Sequence, residues 1–159
     1  MTEKVSIAIT INGSVHNAEV EPRLLLVDFI RENLDLTGTH VGCEHGVCGA
    51  CTILMNGDSV RSCLTFAVQA HGTKIETVES LAEGEMLNVL QEAFRKHHAL
   101  QCGFCTPGML MTITDLLRKY PLKNDDEIRE GLSGNLCRCT GYQHIVDAVR
   151  TVVREREGT

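Results

Sequence analysis

Gly42-Cys43-Glu44-His45-Gly46-Val47-Cys48-Gly49-Ala50-Cys51 sets three cysteines at C-x4-C-x2-C, and a chain carrying it must turn a tight loop around whatever the thiols bind. The spacing is that of the first three ligands of a plant-type 2Fe-2S cluster. Glycines at 42, 46 and 49 let the backbone approach a bound group closely, so that amide N–H donors can converge on anionic sulfur. A fourth thiolate is needed, and Cys63 can supply it. Thr52-Ile53-Leu54-Met55 and Asp58-Ser59-Val60-Arg61-Ser62 flank Asn56-Gly57, a strong hairpin signal, and the hairpin returns Cys63 to the loop.

Other readings of the eight cysteines compete. A disulfide framework expects a secreted chain, whereas Met1 to Val5 begins no apolar signal segment and shows no cleavage motif. A Rieske centre needs two histidine ligands, and only Cys43 is followed by His two residues later; His45 therefore reads as a solvated loop residue. Zinc stays open, although structural zinc sites usually draw on two short C-x2-4-C knuckles rather than a glycine-spaced triple.

A formal charge of -6 argues against nucleic acid as a partner. Aromatic content is only 4% with no Trp, so metal staples would supplement ordinary burial. No run approaches the ~18 apolar residues that span a bilayer, and the expected location is cytoplasmic.

In chain order, Val5, Ile7, Ile9 and Ile11 alternate with smaller or polar residues as a half-buried strand; Asn12-Gly13 turns the chain and Val15 to Val20 returns. Leu25, Leu26, Phe29, Ile30 and Leu34 follow at helical spacing, predicting a helix over that hairpin. Strands, helix, glycine loop and second hairpin make a small α+β unit over residues 1–78. Acidic Glu79 to Glu85 connects it to residues 79–159, where apolar periodicity predicts four helices around Leu90, Ile113, Ile128 and Val149. Short loops between them predict a four-helix bundle. His97-His98 reads as helix C-terminal dipole chemistry.

The remaining cysteines fall in the gaps between those helices. Cys102-Gly103-Phe104-Cys105 precedes Thr106-Pro107, read as an N-cap with proline at the first helical position. Cys137-Arg138-Cys139 precedes Thr140-Gly141-Tyr142-Gln143, whose spacing is that of a capping box. Two positive helix ends would then face one anionic centre and favour thiolates at both pairs. Tetrahedral zinc again remains open here. A redox disulfide at Cys102-Cys105 has the right spacing but lacks a surrounding βαβ pattern.

With both sets read, the chain resembles the small iron-sulfur subunit of the molybdenum hydroxylases, the xanthine oxidase and carbon-monoxide dehydrogenase family. The resemblance runs from Val5 to Arg154 and rests on Gly42 to Cys51, Gln101-Cys102-Gly103-Phe104-Cys105-Thr106-Pro107-Gly108 and Gly134-Asn135-Leu136-Cys137-Arg138-Cys139-Thr140-Gly141-Tyr142. It implies a ferredoxin-like (β-grasp) N-terminal domain with a 2Fe-2S cluster on Cys43, Cys48, Cys51 and Cys63, then an all-α domain with a second on Cys102, Cys105, Cys137 and Cys139. It implies electron transfer from a molybdopterin centre on a large subunit, through both clusters, towards FAD on a medium subunit or an external acceptor. Gln101 and Cys139 would lie against the pterin, and no residue here would be catalytic. With no flavin or molybdenum domain in the chain, the expected form is the separate-subunit bacterial one, a dimer of heterotrimers. The competing function is a free two-cluster electron carrier.

Overall fold

Alternation of apolar residues builds β1 (Val5–Ile11), with Ile7, Ile9 and Ile11 buried on one face. Asn12 and Gly13, at φ 50° and 83°, make the tight turn into antiparallel β2 (Ser14–Val20). The second expected hairpin is β3 (Thr52–Met55) and β4 (Asp58–Arg61), turned by Asn56 and Gly57 at φ 53° and 90°. A short β5 (Lys74–Glu76) joins the hairpins, parallel to β1 and antiparallel to β3, giving a five-stranded sheet in the order β2-β1-β5-β3-β4. The computed structural model describes residues 3–158, so Met1, Thr2 and Thr159, at the ends of the two expected units, lie outside the described residues.

The helix expected near Leu25 to Leu34 forms with a difference. It starts as α1 (Leu26–Asp28) and widens into a π-turn over Phe29–Asn33. Leu26, Val27, Phe29 and Ile30 are all fully buried, because the element is enclosed on two sides. Leu26, Phe29 and Ile30 pack on the sheet, while Val27 packs with Cys51 and Cys63.

Four helices follow: α2 (Val89–Lys96), α3 (Thr106–Lys119), α4 (Asp125–Gly131) and α5 (Gln143–Glu157). Their apolar faces meet in a second core around Phe94, Met109, Ile113, Ile145 and Val149, distinct from the core under the sheet. The whole is a mixed α/β chain. Among the described residues no helix is long and apolar enough to cross a membrane.

Helix α3 joins the two cores. Its Asp115 accepts the Ser59 amide of β4 at 3.1 Å, and Lys119 pairs with both Asp115 and Asp58, at 2.7 and 2.6 Å. Arg118 grips Glu76 of β5 with two bonds of 3.0 and 2.9 Å. Glu76 is held below its ordinary 4.5 by the Arg118 guanidinium. Burial pushes Asp115 up, but Lys119 and Ser59 outweigh it and hold the carboxyl below 3.8.

Candidate metal centres

The first cysteine loop leaves the π-turn and re-enters the sheet at β3. Glu44, Gly46 and Gly49 take left-handed φ of 53°, 77° and 74°, which curls the backbone so that its amides face inward. The His45 and Cys48 amides both reach Cys43 Sγ at 3.4 Å. These donors, Cys48 foremost and then His45, lower the Cys43 thiol to about 6. His45 is exposed, as expected, its ring turned onto the Cys43 carbonyl. At Gly46 an added Cβ would stand 2.4 Å from Leu64 Cδ1, so the absent side chain lets the loop close on the Cys63 turn.

Cys63 arrives on a 3-10 turn, Ser62–Leu64, directly after β4. The Ser62 amide and hydroxyl both donate to the Cys51 carbonyl, at 3.3 and 2.7 Å, which sets Cys63 beside Cys51. Burial, then the Cys51 thiol, push Cys63 up to about 11. Cys43 thus lies against Cys48, and Cys51 packs with Cys63.

The second set repeats the arrangement between helix ends. Cys139 donates to Cys102 Sγ at 3.5 Å. Burial raises Cys105 to about 12, assisted by its hydrogen bond with Cys137. Burial would also raise Cys137, but the Thr140 hydroxyl, 3.0 Å away, helps to bring it below its ordinary value. Cys102 and Cys139 are exposed, Cys105 and Cys137 half-buried. Gln101 is exposed beside Cys102.

Four cysteine thiols in each set, met by amide donors at Cys43 and a hydroxyl donor at Cys137, make the all-thiolate donor set that a 2Fe-2S cluster would take. The residues therefore fit the 2Fe-2S group.

Two capping expectations are corrected. Helix α3 begins at Thr106, so its N-cap is Cys105, Pro107 is the second helical residue, and Thr106 Oγ1 is buried without a partner. No capping box forms on α5, whose N-cap is Tyr142 at φ 68°. The Thr140 hydroxyl is committed elsewhere, to Cys137 Sγ and the Tyr142 amide, while the Tyr142 hydroxyl accepts the Cys137 amide at 2.9 Å. At the end of α2, His97 is the C-cap residue, and its Nε2 meets Thr151 Oγ1 at 2.9 Å.

Several residues at the site carried no role in the sequence reading. Arg61, two positions before Cys63, bonds Thr52 Oγ1 at 2.6 Å and the Gly134 carbonyl at 2.7 Å. His40 stacks on Phe104 at 4.8 Å between centroids, with its Nδ1 2.7 Å from the Phe104 carbonyl. Asn135 is buried between the two cysteine loops. Its polarity within Gly134-Asn135-Leu136 was the available signal, but its partners lie far away in sequence.

Residues 9–82 match the family model described as a 2Fe-2S iron-sulfur cluster binding domain, and residues 77–150 match the one described as a 2Fe-2S binding domain. The chain is 56% identical over 149 residues to caffeine dehydrogenase subunit gamma of Pseudomonas sp. (strain CBB1), covering 92% of this chain and 89% of that one. It is 56% identical over 148 residues to the nicotine 6-hydroxylase small subunit of Paenarthrobacter nicotinovorans, with coverage of 93% and 89%. It superposes on a chain of the crystal structure of quinoline 2-oxidoreductase from Pseudomonas putida 86 with a TM-score of 0.90 at 55% identity, covering 97% of this chain and 98% of that one.

Proposed function

The chain belongs to the small iron-sulfur subunits of the molybdenum hydroxylases, and from that premise we propose how its residues serve electron transfer. Cys43, Cys48, Cys51 and Cys63 hold one 2Fe-2S cluster; Cys102, Cys105, Cys137 and Cys139 hold the other. The observation that carries this assignment is the gathering of four cysteines in each set, with two amides 3.4 Å from Cys43 Sγ in the first and Cys102 and Cys139 Sγ 3.5 Å apart in the second. When bound, each cluster supplies a one-electron carrier. The chain's own work is to present inward-facing amides and hydroxyls to the sulfurs, as at Cys43 and Cys137, and to keep the deeper thiols away from water.

Residues 1–78 form a ferredoxin-like, β-grasp domain and residues 79–159 a four-helix bundle, a division supported by the two separate cores. Gln101 and Cys139 face the molybdopterin of a large subunit, in keeping with their exposure beside Cys102. A medium subunit carries FAD, and the complex is a cytoplasmic dimer of heterotrimers. Eight free thiols are consistent with a reducing compartment. The relatives named for caffeine, nicotine and quinoline share 55–56% of their residues with this chain, which favours an N-heterocycle as the substrate of the complex.

Metal analysis tests the proposal. The expected content is four iron and four acid-labile sulfides per chain in two spectroscopically distinct clusters, with Cys48→Ser removing only the first and Cys137→Ser only the second. Two irons with one paramagnetic signal, or zinc in place of iron, would overturn it.

A further inference from the structure

Three consecutive residues reach from the loop before Cys137 to the N-terminal unit. The Gly134 carbonyl accepts from Arg61 Nη2 at 2.7 Å, and the Leu136 amide donates to the Cys48 carbonyl at 2.8 Å. Between them Asn135, only 2% exposed, uses both ends of its amide. Its Oδ1 accepts the Thr112 hydroxyl at 3.0 Å, and its Nδ2 donates to the Gly49 carbonyl at 3.2 Å.

Asn135 and its two partners belong to three different pieces of the site. Thr112 lies on α3, the helix that Cys105 caps; Gly49 lies between Cys48 and Cys51; Asn135 itself precedes Cys137 by two residues. A carboxamide presents a donor and an acceptor on one planar group, so it can bond both neighbours at once. Any slip between the units leaves a buried polar group unpaired, and that penalty makes such a link selective for one register. The backbones are drawn close to make it possible. A Cβ on Gly49 would stand 2.6 Å from both Asn135 Nδ2 and the Gly134 carbonyl, and one on Gly108 would stand 2.1 Å from the Gly49 carbonyl.

We propose that Asn135 is a positioning residue for electron transfer: it ties α3 and the Cys137 loop to the Cys48 loop, so that the two cysteine sets keep one separation and orientation. The proposal rests on the two-cluster reading above. Arg61 and the Leu136 amide support the same seam, but among the described residues Asn135 alone hydrogen-bonds both α3 and the first loop.

The experiment uses the purified holoenzyme complex carrying Asn135→Ala, Asn135→Asp or Thr112→Val in this chain. Asn135→Asp keeps the acceptor for Thr112 and removes the donor to Gly49. Two readouts are taken: magnetic splitting between the signals of the two reduced clusters, which depends on their separation and orientation, and hydrogen exchange at the Leu136 amide. In Asn135→Ala and Asn135→Asp the expected result is wild-type iron content, loss of the wild-type splitting pattern and faster Leu136 exchange. Thr112→Val should shift both readouts in the same direction by less. Wild-type splitting and protection in Asn135→Ala would overturn the proposal. If Asn135→Ala failed to assemble, wild-type values in Asn135→Asp and Thr112→Val would overturn it equally. Iron content in the unmutated complex judges the cluster reading separately, and Leu136 exchange judges Asn135 whichever way that measurement falls.

Discussion

Replacing Gly108 by Ala sets two effects of opposite sign against each other. Gly108 is the third residue of α3, where alanine is worth about 1 kcal/mol more than glycine by helix propensity alone. The new Cβ, however, would lie 2.1 Å from the Gly49 carbonyl oxygen and 3.0 Å from Ala50 Cα, both backbone atoms. Ordinary contact begins at 3.4 Å, so helix and loop must part by about 1.3 Å. Overpacking of this kind costs about 1–3 kcal/mol. The displaced carbonyl also accepts from the Thr52 hydroxyl and from Asn135 Nδ2, and weakening one of these costs about 1 kcal/mol more. The net is a loss of about 1–3 kcal/mol. For a chain of this size that lowers the unfolding midpoint by about 2–12 °C, whereas propensity alone would raise it by about 2–4 °C. Thermal unfolding of the purified chain followed by circular dichroism distinguishes the signs. A midpoint at or above the wild-type value would show that α3 does not press on the first cysteine loop.

Two further outcomes are expected. Gln101→Leu should leave four irons per chain while reducing molybdopterin content or slowing reduction of the clusters by substrate in rapid mixing; wild-type values for both would remove Gln101 from the site. Because Glu76 and Asp115 sit below their ordinary 4.5 and 3.8 in the folded chain, the unfolded state binds more protons in acid. Their contribution is complete above those ordinary values and disappears as pH falls through the lower folded ones, so urea midpoints should drop on acidification below about pH 4.5, and less steeply in Arg118→Met. Midpoints that rose between pH 5 and 3 would contradict this sign.

Much of this was legible because it is local. Strict alternation marked β1, Asn-Gly pairs marked both hairpin turns, and cysteine spacing marked the loops that bring thiols together. What escaped is non-local or depends on which partner a side chain chooses. Parallel pairing of β5 with β1 joins Thr10 to Lys74, and three-residue β5 carries no period of its own. Thr140 has the spacing of a cap, yet its hydroxyl donates to Cys137 Sγ and accepts the Tyr142 amide, and spacing alone cannot rank those partners. The burial of α1 on two sides becomes visible only once Val27 is seen against Cys51 and Cys63.

The seam between the units also has a bearing on biosynthesis. The Gly49 carbonyl receives its bond from Asn135, 86 residues further along. At ribosomal rates of about 5–20 residues per second, the chain that completes the first cysteine loop is made about 4–17 s after the loop itself. Throughout that interval the Cys48 carbonyl lacks the Leu136 amide and must turn to water, while the Gly49 carbonyl has only its local partner Thr52. Completion of the first loop's hydrogen bonding therefore waits on the last quarter of the chain.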